Sequence, residues 1–350
     1  MTSTGAVRGD RTDDYDFSLP ATLVAQTPPA KRGDSRLLVV HRDGGRIEHR
    51  RFRDLLEYTL PGDALVLNTT RVVRARLLGT RDSGGRAEVF LLRAQGDGVY
   101  EAMVHPGSKL RPGRIVRIAP ELEIEILDVT ERRTRLVRLH SSLPFDEAIE
   151  RFGRVPLPPY VTRDASPIDA ERYQTVYAAQ PGSVAAPTAG LHFTTSLLDA
   201  AAARGVERVD VVLHVGAGTF KPVEAKDPAD HVMHEEWYEL GAAAAARLNA
   251  ARARSGRVWA VGTTSVRTLE SAVREDGSFI PSSGDTRIFI RPPYRWRAVD
   301  MLVTNFHLPR STLVMLVAAF AGYALTMRAY QEAIDAEYRF YSYGDAMAVI

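Results

Sequence analysis

Between Asp63 and Leu139 the chain reads as a series of short apolar runs: Ala64–Leu67, Ala87-Glu88-Val89-Phe90-Leu91-Leu92, Tyr100–Val104, Ile115–Ile118, Leu122-Glu123-Ile124-Glu125-Ile126-Leu127 and Thr134–Leu139. Gly84-Gly85, Gly96-Asp97-Gly98 and Arg111-Pro112-Gly113 punctuate them. Closely spaced strands with turn signals and no long helical period predict a small β-barrel or sandwich.

Outward from this stretch the rhythm changes. Upstream, a short strand is expected at Arg36–His41. Downstream, a helix at Phe145–Phe152 leads into a proline-rich connector, Val155–Tyr160. Helical runs at Thr195–Arg204, Ala242–Arg254, Ser265–Arg274 and Thr312–Met327 then alternate with strands at Val209–His214, Val258–Val261, Arg287–Ile290 and Met301–Thr304. That alternation predicts an α/β domain with a partly parallel sheet. The expected architecture is an α/β catalytic domain (1–62 and 151–350) with an inserted small β-barrel domain (63–150), α+β overall. Residues 1–12 read as a disordered leader.

The 350 residues contain no cysteine and carry a net charge of +2. This excludes disulfides, thiol nucleophiles, thiolate zinc sites and cysteine-ligated iron–sulfur clusters. The polar Met1–Asp14 segment has no apolar core of a secretory signal. The greasy run Leu313–Met327 is shorter than a bilayer span and reads as a buried helix. A cytoplasmic protein without membrane attachment is expected. Because charge is nearly balanced, any RNA binding must come from a local patch.

Phosphate-loop and nucleophile-elbow signatures are absent, and Gly216-Ala217-Gly218 is followed by Lys221-Pro222 rather than by a helix. Four other segments sit at predicted strand ends, where open α/β sheets place their sites. Ser183–Phe193 offers Thr188, Gly190 and His192, the last just before a helix whose N-terminus favours neutral imidazole. Leu213–Val223 offers His214, Gly216, Gly218 and Lys221, although His214 alone is more often a satisfied core residue. His231–Tyr238 places His234 and Glu236 in acid–base or orienting roles. If this segment is helical, His231 and His234 share a face, but no third metal ligand is evident and no metal site is expected. Val299–Thr312 offers Asn305 and His307, with Ser311 or Thr312 capping a helix. Gly262–Arg267 shows the same strand–cap–helix pattern, and Thr263, Thr264 and Arg267 suit an anion at a free helix N-terminus.

Together with Asp16–Pro20, Lys31–Leu38, Asn68–Val72, Gln174–Ala178 and Tyr338–Met347, these segments resemble, in order and from about Tyr15 onward, the S-adenosylmethionine:tRNA ribosyltransferase-isomerase family of queuosine biosynthesis. Arg74, Glu235 and Pro293 depart from residues usual in that family, which has proline, serine and glycine there. The resemblance implies an α/β domain plus a β-barrel. It also implies transfer and isomerisation of the ribosyl group of S-adenosylmethionine onto 7-aminomethyl-7-deazaguanine at the wobble position of a tRNA with a GUN-type anticodon. S-adenosylmethionine is then a consumed co-substrate, with no permanently bound cofactor, and a monomer is the default. His192, His214, His234, Glu236 and His307 are the candidate proton-transfer groups, with base and acid unassigned among them. Lys31, Arg32, Arg71, Arg74 and Arg76 are the candidate tRNA contacts. A paralogue acting on another deazapurine and a catalytically silent RNA-binding protein are the competing readings.

Overall fold

The computed structural model describes residues 9–216, 218 and 222–350. In chain order, β1 (Arg36–Val40), β2 (Ile47–Arg51), β3 (Ala64–Asn68) and β4 (Thr70–Val72) precede a run of six strands. These are β5 (Arg76–Arg81), β6 (Arg86–Gly96), β7 (Val99–His105), β8 (Ile115–Ala119), β9 (Leu122–Val129) and β10 (Arg135–Ser141). Then come α1 (Phe145–Phe152), α2 (Pro167–Arg172), β11 (Gln180–Ser183), α3 (Thr195–Ala203), β12 (Glu207–Leu213), β13 (Glu236–Leu240) and α4 (Ala242–Ala253). The chain ends with β14 (Val258–Val261), α5 (Gly262–Ser271), β15 (Ser282–Thr286), β16 (Met301–Asn305), α6 (Thr312–Ala321), α7 (Tyr323–Asp335) and β17 (Ala346–Val349).

Nine strands form one mixed sheet in the order β15-β13-β12-β3-β14-β16-β17-β1-β2. Its centre, β12-β3-β14-β16, is parallel. Parallel strands must be covered on both faces, so their sequences read as continuous apolar runs. The side chains nevertheless alternate between two cores. Ala64, Val66, Ala260 and Leu302 face one, with α4 and α6, whereas Leu65, Leu67, Trp259 and Val303 face the other, with Phe52 and Phe193.

Strands β5 to β10 close into a barrel in the order β10-β7-β6-β5-β8-β9. Alternate residues such as Leu77, Val89, Val116, Ile124, Ile126 and Val137 fill it, and α1 adds Ala148 and Ile149. The outgoing and returning chains are paired: β4 lies parallel to β11, and Arg76 and Arg154 exchange both backbone hydrogen bonds. The barrel is therefore an insertion hung on a narrow neck.

The structure corrects several expectations. Ala64–Leu67, grouped by spacing with the barrel strands, is β3 at the centre of the large sheet, because all five of its residues are buried. Residues 9–12 are not a disordered leader: the Gly9 N–H donates to Asp14, Tyr15 donates to the Gly9 carbonyl, and Thr12 is buried. The expected strand at Arg287–Ile290 falls earlier, at Ser282–Thr286. The long greasy helix is two, α6 and α7, bent by 116° at Gly322, whose φ of +88° is a conformation glycine tolerates. Among the described residues no single helix is long and apolar enough to cross a membrane.

Candidate active site

The loops at the C-terminal ends of β12, β14 and β16 surround a cleft with two joined chambers. The larger, of about 340 Å³, is lined by Gly218, Glu224, Asp230, His231, His234, Glu236, Thr263, Thr264 and Arg267 on its polar side. Ile288, Phe289, Ile290, Leu313 and Leu316 form an apolar side. The smaller, of about 50 Å³, is lined by Thr188, Gly262, Asn305 and His307 among others, with Tyr160, Tyr341 and Ser342 opposite. Thr263, Thr264 and Leu313 line both chambers.

Helix α5 starts immediately after β14, and Gly262, at φ +87°, makes the turn. No side chain caps its first turn. The free N–H groups and the positive end of the helix dipole therefore lie at Thr263 and Thr264, between the chambers. One turn on, Arg267 forms a buried ion pair with Glu236, the first residue of β13. Glu236 also accepts from the Gly216 N–H at 3.0 Å, tying the loop after β12 to β13. Burial pulls the Arg267 guanidinium down to about 10, which leaves it protonated at neutral pH. The segment His231–Glu235 is not helical, so His231 and His234 do not share a helix face. His231 packs on Phe289, and the ring of His234 lies directly over Gly218, where a Cβ would come within 2.1 Å of it.

The other two central histidines act through neighbours. His192, buried beside Phe52, lines neither chamber. Asn305 Nδ2, donating to the Tyr341 carbonyl at 3.0 Å, also meets His192 Nε2 at 3.2 Å. Nε2 is thus the acceptor, and Nδ1–H donates to Ser35 Oγ at 2.7 Å. Burial lowers this imidazole to about 4, so it is neutral. His214 stacks on Trp237 at 5.2 Å and meets Thr70 Oγ1 at 2.8 Å, also behind the cleft. His307 does line the smaller chamber; Thr304 Oγ1 holds its Nε2 at 2.8 Å and burial lowers it to about 3.

Gly190 lies off the cleft wall, where a side chain would collide with the Tyr177 hydroxyl. Lys221 falls outside the described residues. Of the basic candidates, Arg76 is committed to Glu88 through two bonds of 2.8 and 2.9 Å, Arg74 pairs with Glu150 at 3.1 Å, and Arg32 donates to the Leu191 carbonyl. Lys31 and Arg71 are exposed. Glu235, the departure noted above, lies between Arg287 at 2.5 Å and Arg132 of the barrel at 3.8 Å, joining barrel and cleft rim. Sequence reasoning missed the apolar wall, because Ile288–Ile290 read as a strand and Leu313 and Leu316 as core. Among the described residues no three His, Asp or Glu side chains converge as a metal site.

The profile of the family described as queuosine biosynthesis protein matches residues 12–349. An S-adenosylmethionine:tRNA ribosyltransferase-isomerase of Symbiobacterium thermophilum is 53% identical over 342 residues, covering 97% of this chain and 100% of that protein. One of Thiobacillus denitrificans is 50% identical over 337 residues, covering 96% of each. The crystal structure of the S-adenosylmethionine tRNA ribosyltransferase of Thermotoga maritima superposes with a TM-score of 0.56 at 38% identity, covering 96% of this chain and 99% of that one. With matching motifs, barrel and sheet in one chain, the protein belongs to the queuosine biosynthesis protein family.

Proposed function

We propose that the protein transfers and isomerises the ribosyl group of S-adenosylmethionine onto 7-aminomethyl-7-deazaguanine at the wobble position of a GUN-type tRNA. Epoxyqueuosine-tRNA, adenine and methionine are the products. S-adenosylmethionine is the consumed co-substrate, with no permanent cofactor, and the enzyme works as a cytoplasmic monomer.

The observation that carries this reading is the larger chamber, where an apolar wall faces His234, Glu236 and Arg267. The apolar wall suits an adenosyl group, and the Glu236 carboxylate suits the sulfonium. The reaction needs a base for the C5′ proton beside the sulfonium, a hydrogen-bond donor for departing adenine, and exclusion of water. His234 is the group we assign to proton transfer. Glu236, oriented by Arg267, holds charge near the sulfur, while His307 faces the smaller chamber and His192 and His214 support the walls. The wobble nucleotide must leave its stack to enter, and Lys31 and Arg71 would hold backbone phosphates.

Incubating the protein with S-adenosylmethionine and tRNA bearing 7-aminomethyl-7-deazaguanine, then analysing nucleosides and bases by mass spectrometry, tests this. Epoxyqueuosine with equimolar adenine is expected. Adenine alone would direct the search to another deazapurine, and neither product would leave a silent RNA-binding protein.

A further inference from the structure

Two buried polar atoms on the walls of the smaller chamber have no protein partner among the described residues: Thr264 Oγ1 and Asn305 Oδ1. Buried polar atoms are nearly always hydrogen-bonded, so each calls for a specific occupant. Asn305 is 2% exposed, and its Nδ2 is already committed to His192 and the Tyr341 carbonyl. The atom it leaves over is an acceptor. Thr264, 9% exposed, sits in the uncapped first turn of α5, where the backbone offers donors and a positive dipole end. The smaller chamber thus offers an unpaired acceptor and a cluster of unpaired donors, which is the pattern that recognises a zwitterion.

We infer that the smaller chamber takes the α-amino-acid head of S-adenosylmethionine. This rests on the function proposed above and deepens it. The carboxylate lies on the first-turn N–H groups of α5 and the Thr264 hydroxyl, and the ammonium donates to Asn305 Oδ1. Size supports the assignment. At about 50 Å³ the chamber holds the equivalent of a few water molecules, room for a carboxylate and an ammonium but not a purine. The larger chamber, with its apolar wall, is left for the adenosyl group. Thr263 and Thr264 line both, so a ligand lying across them puts its sulfur at the junction, beside the first turn of the helix that carries Arg267 one turn on. The same N-terminus that holds the carboxylate would also hold the carboxylate of free methionine after the sulfur–carbon bond breaks.

Calorimetric titration of the full chain with S-adenosylhomocysteine and with 5′-methylthioadenosine tests the assignment. Both ligands carry the nucleoside and a neutral sulfur, and only the first carries the amino-acid head. The wild type is expected to prefer S-adenosylhomocysteine by about tenfold or more, the worth of one or two buried charge-assisted hydrogen bonds. Thr264→Val and Asn305→Ala should each erase most of that preference and leave 5′-methylthioadenosine affinity within about twofold, whereas Thr264→Ser keeps the preference. No preference in the wild type, or a Thr264→Val protein with wild-type preference, overturns the inference. Should the wild type bind neither nucleoside nor S-adenosylmethionine itself, the ribosyl-donor reading falls with it; binding of both nucleosides alike sinks only the amino-acid subsite.

Discussion

Arg267, on helix α5, and Glu236, at the start of strand β13, form a buried ion pair that ties helix to strand on the polar side of the larger chamber. Their side chains are 8% and 4% exposed. Removing one partner leaves an uncompensated buried charge, a cost of about 3–5 kcal/mol. Arg267→Met is therefore expected to lose stability on that scale in urea unfolding. The double variant Arg267→Met, Glu236→Gln should recover part of the loss, because no charge is left unpaired. Equal losses in single and double variants would show that the unpaired Glu236 charge is not the source of the loss.

Gly218 lies under the ring of His234. A methyl group added there meets the imidazole first and pushes it aside. Gly218→Ala should reduce turnover by about 10²–10³-fold, comparable to His234→Ala, since a displaced base is nearly as ineffective as a missing one. Its melting temperature should stay near wild type. Single-turnover adenine release, measured on both variants, gives the comparison; full activity in Gly218→Ala removes His234 from proton transfer.

The neutral, buried His192 makes stability depend on pH. Its folded value of about 4 lies below the ordinary 6.5, so the unfolded chain binds the proton more readily between those values. The contribution is fully present above the unfolded value and is lost as the pH falls toward the folded one. Thermal unfolding of the wild type should weaken progressively from pH 6.5 down to 4, and His192→Gln should show a flatter profile across that window. Parallel profiles would mean that His192 is not buried and neutral.

Arg71 and Arg76, five residues apart, should behave differently. Arg71 is exposed on β4, and its replacement by alanine is expected to weaken tRNA binding and reduce the salt-dependence slope by about 0.7–0.9, one phosphate contact. Arg76 is held by Glu88, so Arg76→Ala should cost about 1 kcal/mol or less of stability and leave the slope unchanged. Filter binding over a salt series separates the two.

Much of the fold was legible because its elements are locally determined. The alternating apolar residues of Ala87–Leu92 and Leu122–Leu127 announce half-buried barrel strands, and Val258–Val261 followed by small polar residues announces a strand opening into a helix. The place of β3 was not legible, since a five-residue strand carries no mark of its partners and its neighbours in sequence belong to the barrel. Chemistry was legible as residue type and hidden as geometry. His192 and His234 look alike in sequence, yet one stands behind Asn305 and the other on the cleft wall. The pairing of Glu236 with Arg267 depends on a strand-to-helix juxtaposition across 31 residues, which no local pattern encodes.

The neck has a consequence for how such a chain changes over evolutionary time. Because Arg76 and Arg154 face each other across two backbone hydrogen bonds, everything between them is attached as a closed loop whose ends already meet. Residues gained, lost or exchanged within that loop leave the register of the nine-stranded sheet untouched, because the cost of closing a longer loop grows only slowly with its length. The barrel is in this sense an attachment free to vary, apart from the ion pairs Arg132–Glu235 and Arg93–Asp285 that fasten it to the cleft rim and the sheet edge. Its sequence and loop lengths can diverge while the order and register of the sheet stay as they are.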